Sequence, residues 1–142
     1  TNKFPKETQK SDLHHLFPTD SSMNSHRSNL RFGNVNKEVQ KLKCSTAKLG
    51  SSSIDSSTVF EAPEVHKGNV ARALFYFSVR YNIPLPPQEE VVLREWNKKD
   101  PIDAEEIKRN DIIFQEQGNR NPFIDISDLA EHIKSFSNKE IQ

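Results

Sequence analysis

The sequence is poor in residues that staple a fold or span a membrane. Its 142 residues include a single cysteine, Cys44, which excludes an internal disulfide and any multi-cysteine zinc site. No run of about 18 apolar residues occurs, and that excludes a helical membrane span. Hydrophobic residues make up 33% of the chain and mean hydropathy is −0.78, so the core it can bury is thin. The polar start lacks both an initiator methionine and an apolar leader, and Thr1 reads as a cut end, of a fragment or of a processed chain. The length suits one domain, since single domains run to about 100–200 residues; residues 1–136 are expected to form it, with 137–142 as a tail.

Net charge is zero, but its distribution is uneven. Residues 1–50 carry nine Lys/Arg against four Asp/Glu, a surplus of +5, and residues 51–142 carry eleven against sixteen, a deficit of −5. A basic half can present a patch to a polyanion while the rest of the chain stays acidic, or the difference can be ordinary surface variation.

Little helical periodicity occurs before Asn36. Val35, Val39 and Leu42 open a short helix, or the segment leads into a strand at 43–49. Residues 50–57 read as a Ser-rich linker too polar to pack, and 58–61 as a short strand ended by Pro63. After Gly68 the spacing of Val70, Ala73, Leu74, Phe77 and Tyr81 predicts a helix, with a second stripe of Ala71, Phe75 and Val79 that widens its buried face. Three prolines within 82–87 break it. Residues 88–98 form the next helix, carrying Val91, Val92 and Trp96, with Trp96 in the core. A third helix is predicted to start at Asp100-Pro101, with Ile102, Ile107, Ile112, Ile113 and Phe114 as its apolar residues and Gly118 as its stop. A loop at 119–125 precedes a last helix at 127–136, capped by Ser127, with Leu129, Ile133 and Phe136 facing inward.

Between Asp12 and Phe32 the sequence concentrates His14, His15, His26, Asn24, Asn29, Arg27 and Arg31. Histidine and aspartate ligate divalent metals, and an asparagine oxygen suits a hard cation such as magnesium. Arginine reads phosphate through a planar fork. Metal-ligand types beside phosphate-binding types point to phosphodiester chemistry. The alternative is a polar loop stitched by its own hydrogen bonds.

The order of the motifs is informative. Asp12-Leu13-His14-His15-Leu16-Phe17-Pro18, then Asn24-x-x-Arg27-x-Asn29, then Phe32-Gly33 resembles the bacterial endonuclease I and extracellular ribonuclease family. The likeness continues through His66-Lys67-Gly68-Asn69-Val70-Ala71-Arg72-Ala73 with Tyr76 and Arg80-Tyr81. It runs on through Trp96, Asp100-Pro101 and Arg109-Asn110 to Gln117-Gly118-Asn119-Arg120-Asn121-Pro122-Phe123-Ile124-Asp125. Four blocks over residues 11–126 stand in the family's order.

This resemblance implies an α+β, predominantly helical domain with a His-Me (ββα-metal) finger truncated at its N-terminal side. It implies magnesium-dependent cleavage of DNA, and often of RNA, with little sequence preference, and secretion to the periplasm or the medium; the chain is expected to be a monomer without membrane association. In the family's mechanism a histidine takes a proton from water while the metal stabilises charge on the phosphorane-like state and the departing 3′ oxygen. By its place in the second block, Asn24 is the metal ligand, or else a helix-start cap. The family's Glu-His-x-x-Pro motif, which supplies the general base and a metal ligand, does not occur before Asp12. This implies a C-terminal portion of a nuclease that is inactive alone. A rival reading is a non-catalytic module that kept the scaffold and binds nucleic acid or protein.

Residue by residue, His14 supports such a site by hydrogen bonding, with direct catalysis as the alternative, and Asp12 orients His14 or caps the turn. Arg27 and Arg31 contact phosphate or lie on a solvated face, and Asn29 braces the loop. Arg72, Tyr76 and Arg80 share one helix face, where the two arginines bind phosphate or pair with Glu61 and Glu64. Asn119, Arg120 and Asn121 lie on a loop as functional residues or as turn chemistry. Cys44 has no partner in view.

Overall fold

The computed structural model describes residues 9, 11–14, 30–41, 47–55 and 57–137. Asn24, Arg27, Asn29, His15, His26 and Cys44 lie outside the described residues, as does most of the tail. The architecture is α+β. A three-stranded antiparallel sheet in the order β1-β2-β3 lies beside a helical layer.

Strand β1 spans Val35–Lys41, β2 Lys48–Ser52 and β3 Thr58–Glu61. The first pairing runs from Val35↔Ser52 to Lys41↔Lys48 with two register irregularities, and the second runs from Lys48↔Glu61 to Ser51↔Thr58. Two expectations are corrected here. The segment after Val35 is neither a short helix nor a lead into a strand at 43–49 but is itself a strand, because the ladder with β2 satisfies its backbone groups. The supposed serine linker supplies the second half of β2, where Gly50 and Ser52 are buried. Small residues fit there because a neighbouring strand lies on either side. Ala47, Leu49 and Phe60 make a small core with Leu30 and Phe32.

Helix α1 spans Lys67–Tyr81 after a 3-10 turn at Glu64–His66. Its C-cap is Asn82 at φ 54°, in the left-handed region, where the cap N–H reaches the Ser78 carbonyl. Asparagine tolerates that conformation better than most side chains. Its deepest stripe is Ala71, Phe75 and Ser78, while Val70, Leu74 and Phe77 are half-buried at its flanks. Ala73 and Tyr81 of the first predicted stripe are buried too, and Val79 of the second is half-buried, so both stripes contribute to a broad buried face.

Helix α2, Pro87–Lys99, starts with Pro87 at its first turn and places Glu89 and Glu90 there and Lys98 and Lys99 in its last turn, the charge order a helix dipole favours. Trp96 is fully buried, and its indole N–H donates to Asn34 Oδ1 at 2.8 Å. Phe32 meets Trp96 and Phe60 at ring distances of 6.0 and 6.2 Å, joining sheet to helices.

Helix α3, Ala104–Gln117, begins later than predicted. Asp100 caps the end of α2 instead, and its carboxylate accepts from Gly68 N–H at 2.9 Å. Asp103 is the N-cap of α3, accepting from Glu106 N–H at 2.8 Å. Of its apolar residues Ile113 is buried, whereas Ile107, Ile112 and Phe114 are 48%, 49% and 45% exposed. Gly118 closes the helix at φ 84°, as its position predicts.

A short helix α4, Pro122–Asp125, replaces the predicted loop, with Asn121 as its cap. The last predicted helix shrinks to a 3-10 turn at Leu129–His132, and Ser127 does not cap it. Packing explains the loss. The chain turns to stack Phe136 on Phe75 at 4.4 Å beside Phe123, while Arg94 takes the Ala130 and Ile133 carbonyls at 2.8 and 2.7 Å. The Ala130 carbonyl also accepts from Ile133 N–H at 3.2 Å, a 3-10 bond that ends the turn, and the chain beyond runs on to place Phe136.

Candidate functional site

The Asp12-Leu13-His14 block is seated against the helical layer by polar contacts. Asp12 Oδ1 accepts from the His14 N–H at 3.0 Å and from Gln117 Nε2 at 2.9 Å. Its Oδ2 accepts from the phenols of Tyr76 and Tyr81 at 2.5 and 2.6 Å, and Arg80 Nε stands 3.8 Å away. Leu13 is held from both sides, its N–H donating to Gln117 Oε1 at 2.9 Å and its carbonyl accepting from Arg109 Nη2 at 2.6 Å. Burial raises the Asp12 pKa, but the hydrogen bonds from Tyr76, Tyr81, Gln117 and the His14 N–H prevail and hold it below the usual carboxylate range. Burial and the adjacent Asp12 push the Tyr76 phenol well above its ordinary value.

His14 is 1% exposed, with its ring 4.9 Å from that of Tyr76. Nε2 lies 2.9 Å from the Asn119 carbonyl, a partner that accepts only, so Nε2 carries the proton. Nδ1 is then a buried acceptor, and it has no partner among the described residues. Burial lowers the His14 pKa, and the cations Arg109 and Arg80 add to the effect against the Asn119 carbonyl and Asp12. A neutral, buried imidazole whose proton rests on a carbonyl is a brace for the Asn119 loop. Asp12 caps the turn and makes no hydrogen bond to the His14 ring.

The two arginines of α1 part company. Arg72 is 2% exposed: its Nε and Nη2 donate to Glu106 at 2.6 and 2.7 Å and its Nη1 donates to Asn97 Oδ1 at 2.8 Å. It presents no face to nucleic acid, so the phosphate-binding expectation for Arg72 is corrected. So is its expected pairing: Glu61 holds Lys67 at 2.8 Å and the Val35 N–H at 2.7 Å, and Glu64 holds Lys67 at 2.6 Å. Arg80, one helix face further along, is 37% exposed. Arg31 is half-buried and braces the bend before β3, 3.4 Å from Asp55 and hydrogen-bonded to Ser57.

The C-terminal block is mostly scaffold. Asn110 Oδ1 accepts from Asn121 N–H at 2.9 Å while its Nδ2 donates to the Asn121 carbonyl at 3.3 Å, and Asn121 caps α4 through Phe123 N–H at 2.9 Å. Arg120 pairs with Asp111 at 2.8 Å and with Asp125 at 2.9 Å. Asn119 faces the cluster, its Nδ2 donating to the Tyr76 phenol at 2.8 Å.

Sequence reasoning missed Gln117 and Tyr81 as partners of Asp12, and Glu106 as the partner of Arg72. The separations of 105, 69 and 34 residues leave no local signal for these pairs. Among the described residues, no three His, Cys, Asp or Glu side chains are placed to hold a metal ion. The Asp12 carboxylate is occupied by four donors, and His14 Nε2 by a carbonyl. These residues do not by themselves fit a magnesium ion.

The chain is 38% identical over 141 residues to an extracellular ribonuclease of Bacillus subtilis (strain 168), covering 86% of this chain and 46% of that protein. It is 33% identical over 115 residues to a periplasmic deoxyribonuclease of Aeromonas hydrophila, covering 80% and 47%. It is also 33% identical over 115 residues to an endonuclease-1 of Buchnera aphidicola subsp. Acyrthosiphon pisum (strain APS), covering 81% and 44%. The chain thus spans about half the length of the curated relatives it matches. The Endonuclease I family pattern matches residues 2–128, nearly the whole of the described fold, and the chain belongs to the endonuclease I family.

Proposed function

We propose that the chain acts in sequence-nonspecific, magnesium-dependent hydrolysis of phosphodiester bonds in DNA and RNA, outside the cytoplasm. In this reading it supplies the scaffold and the phosphate-facing side of the site. Relatives named as a ribonuclease, deoxyribonucleases and an endonuclease support this substrate range, and the words extracellular and periplasmic in their names support the location.

One observation carries the reading. Residues from family blocks far apart in sequence, Asp12 to His14, Tyr76, Tyr81, Arg109, Gln117 and Asn119, converge on a single cluster around Asp12. That cluster fixes the Asp12-Leu13-His14 segment against the helical layer. The chain's own residues orient and brace: Tyr76, Tyr81 and Gln117 hold Asp12, the Asn119 carbonyl holds His14, and Arg80 faces solvent at the rim. Asn24 is the proposed metal ligand.

The 142 residues contain no Glu-His-x-x-Pro motif. The purified chain with magnesium is therefore expected to leave plasmid DNA and total RNA intact. In a protein that also carries the motif, Asn24→Ala is expected to abolish cleavage. Magnesium-dependent cutting by the purified 142-residue chain would overturn the proposed division of labour. A second reading follows from the same missing motif, namely a binding module with salt-sensitive, magnesium-independent affinity for nucleic acid. It leads if a longer protein carrying this chain binds nucleic acid without magnesium and does not cleave it.

A further inference from the structure

Four side chains from three parts of the chain close a ring of hydrogen bonds. The Tyr76 phenol donates to Asp12 Oδ2 at 2.5 Å, and Asn119 Nδ2 donates to the phenol oxygen at 2.8 Å. Gln117 Nε2 donates to Asn119 Oδ1 at 2.7 Å and returns to Asp12 Oδ1 at 2.9 Å. The sense of the ring follows from its one charge. An ionised carboxylate only accepts, so Tyr76 gives its single proton to Asp12 and meets Asn119 with a lone pair. Asn119 must then turn Nδ2 to the phenol and Oδ1 to Gln117. Gln117 must point Nε2 inward, which leaves its Oε1 for the Leu13 N–H at 2.9 Å. Flipping either amide would set two donors or two acceptors face to face.

The members of the ring differ in burial. Asp12 and Tyr76 are 4% and 3% exposed, while Gln117 lies at the surface. Tyr76 is therefore the buried member that ties both the Asp12-Leu13-His14 segment and the Asn119 loop to the core helix α1. Its ring also lies 4.9 Å from that of His14, whose Nε2 donates to the Asn119 carbonyl at 2.9 Å. One side chain thus meets Asp12, His14 and Asn119. Stability is a weak reason for such a network, because apolar groups of the same shape can replace hydrogen-bonded partners at little net cost. What a satisfied polar network adds is one specified orientation.

We propose that Tyr76 is a positioning residue of the nuclease, acting through Asp12 and Asn119 to hold the Asp12-Leu13-His14 segment and the Asn119 loop in one relative orientation, without touching substrate. The proposal rests on the nuclease reading given above and assigns a role within it to a residue of the core helix.

The chain has two tyrosines, Tyr76 and Tyr81, and both phenols donate to Asp12. The 142-residue chain labelled with carbon-13 at tyrosine Cζ therefore gives two signals, and Tyr76→Phe assigns them. Asn119→Leu, which keeps the size of the side chain and removes the donor, is expected to move the Tyr76 signal. In a longer protein that carries this chain and the Glu-His-x-x-Pro motif, Tyr76→Phe is expected to lower kcat about tenfold or more with KM within about twofold, in keeping with the roughly hundredfold cost of a 1 Å misplacement. Asn119→Leu is expected to lower kcat in the same manner. The double variant is expected to be no slower than the slower single variant, because both changes cut one path.

A raised KM at unchanged kcat in Tyr76→Phe overturns the proposal, because the phenol would then be binding substrate. Unchanged kinetics in Tyr76→Phe overturns it as well. So do losses that multiply in the double variant, which would mean that Tyr76 and Asn119 act apart. A Tyr76 signal indifferent to Asn119→Leu overturns it at the level of the ring, whatever the kinetics. A longer protein that cleaves neither DNA nor RNA overturns the nuclease reading and the role of Tyr76 in it, while the tyrosine signals still decide whether the ring exists.

Discussion

Arg72 and Glu106 form a bidentate ion pair at 2.6 and 2.7 Å across 34 residues of sequence, with side chains 2% and 4% exposed. Asn97 takes a third guanidinium donor at 2.8 Å, so α1, α2 and α3 meet at one planar group. Such a pair is a weak source of net stability but costly to break from one side, because the remaining charge stays buried.

Arg72→Ala and Glu106→Gln are each expected to cost about 3–5 kcal/mol, read as a fall in the urea midpoint. An apolar replacement of both partners, Arg72→Met with Glu106→Leu, is expected to cost less than the sum of the single changes. Arg72→Lys is expected to fail as a conservative change, since an ammonium cannot span Glu106 and Asn97 in the same plane. Equal, additive effects in the cycle would show that the pair is not coupled.

Gly68 sits where the start of α1 meets the end of α2. A Cβ there would lie 1.9 Å from the Asp100 carbonyl oxygen and 2.4 Å from Arg72 Nη2. The backbone oxygen cannot give way without moving the cap of α2. Alanine ordinarily favours a helix over glycine by about 1 kcal/mol. Gly68→Ala is nevertheless expected to destabilise by about 1–3 kcal/mol, the range for overpacking. A thermal melt decides it, and a raised midpoint would mean that the two helices separate easily.

Asp12 has a pKa below its unfolded value because four donors converge on it, burial notwithstanding. A depressed carboxylate contributes stability that is fully present above its unfolded pKa, about 3.9, and lost as pH falls through the folded value. Asp12→Asn is expected to flatten the acid limb of the stability profile. At neutral pH it should cost about 1–3 kcal/mol for each buried phenol left without an acceptor. Urea midpoints across the acid range for both proteins provide the comparison, and parallel acid limbs would remove Asp12 from the account.

His14 is held neutral by burial, its pKa below the ordinary value. Below about pH 6.5 the unfolded chain takes up a proton that the folded chain resists. Stability is therefore full above that pH and declines as pH falls towards the lower folded pKa. His14→Phe, which keeps a ring against Tyr76, is expected to flatten the dependence between about pH 7.5 and 5.5. An unchanged slope would place the titration on another group.

How much of this was legible beforehand depends on the range of the interaction. The spacing of apolar residues after Gly68 found α1, the position of Gly118 found the end of α3, and four ordered motifs found the family. These signals are local, or need only linear order. Failures came where a neighbour outvoted local chemistry. The serines of β2 look like linker until strands flank them. The apolar letters of α3 do not say which of them is buried, and the helix turns Glu106, Asn110 and Ile113 inward while Ile107 and Phe114 stay exposed. The last predicted helix yielded because the chain runs on to bury Phe136 on Phe75.

The sequence by itself determined the α+β class, the helices that carry the core, the family, and a set of residue types suited to phosphodiester chemistry. Tertiary structure alone decided what those residues do. It buried Arg72 and left Arg80 at the rim, though both belong to one helix face, because Glu106 of α3 and Asn97 of α2 enclose the first. It gave His14 to a backbone carbonyl and Asp12 to two phenols. Charge and hydrogen-bonding capacity are properties of a residue and can be read from its letter. Which partner satisfies them is a matter of distance in space, and over separations of 34 to 105 residues only the folded chain sets that distance.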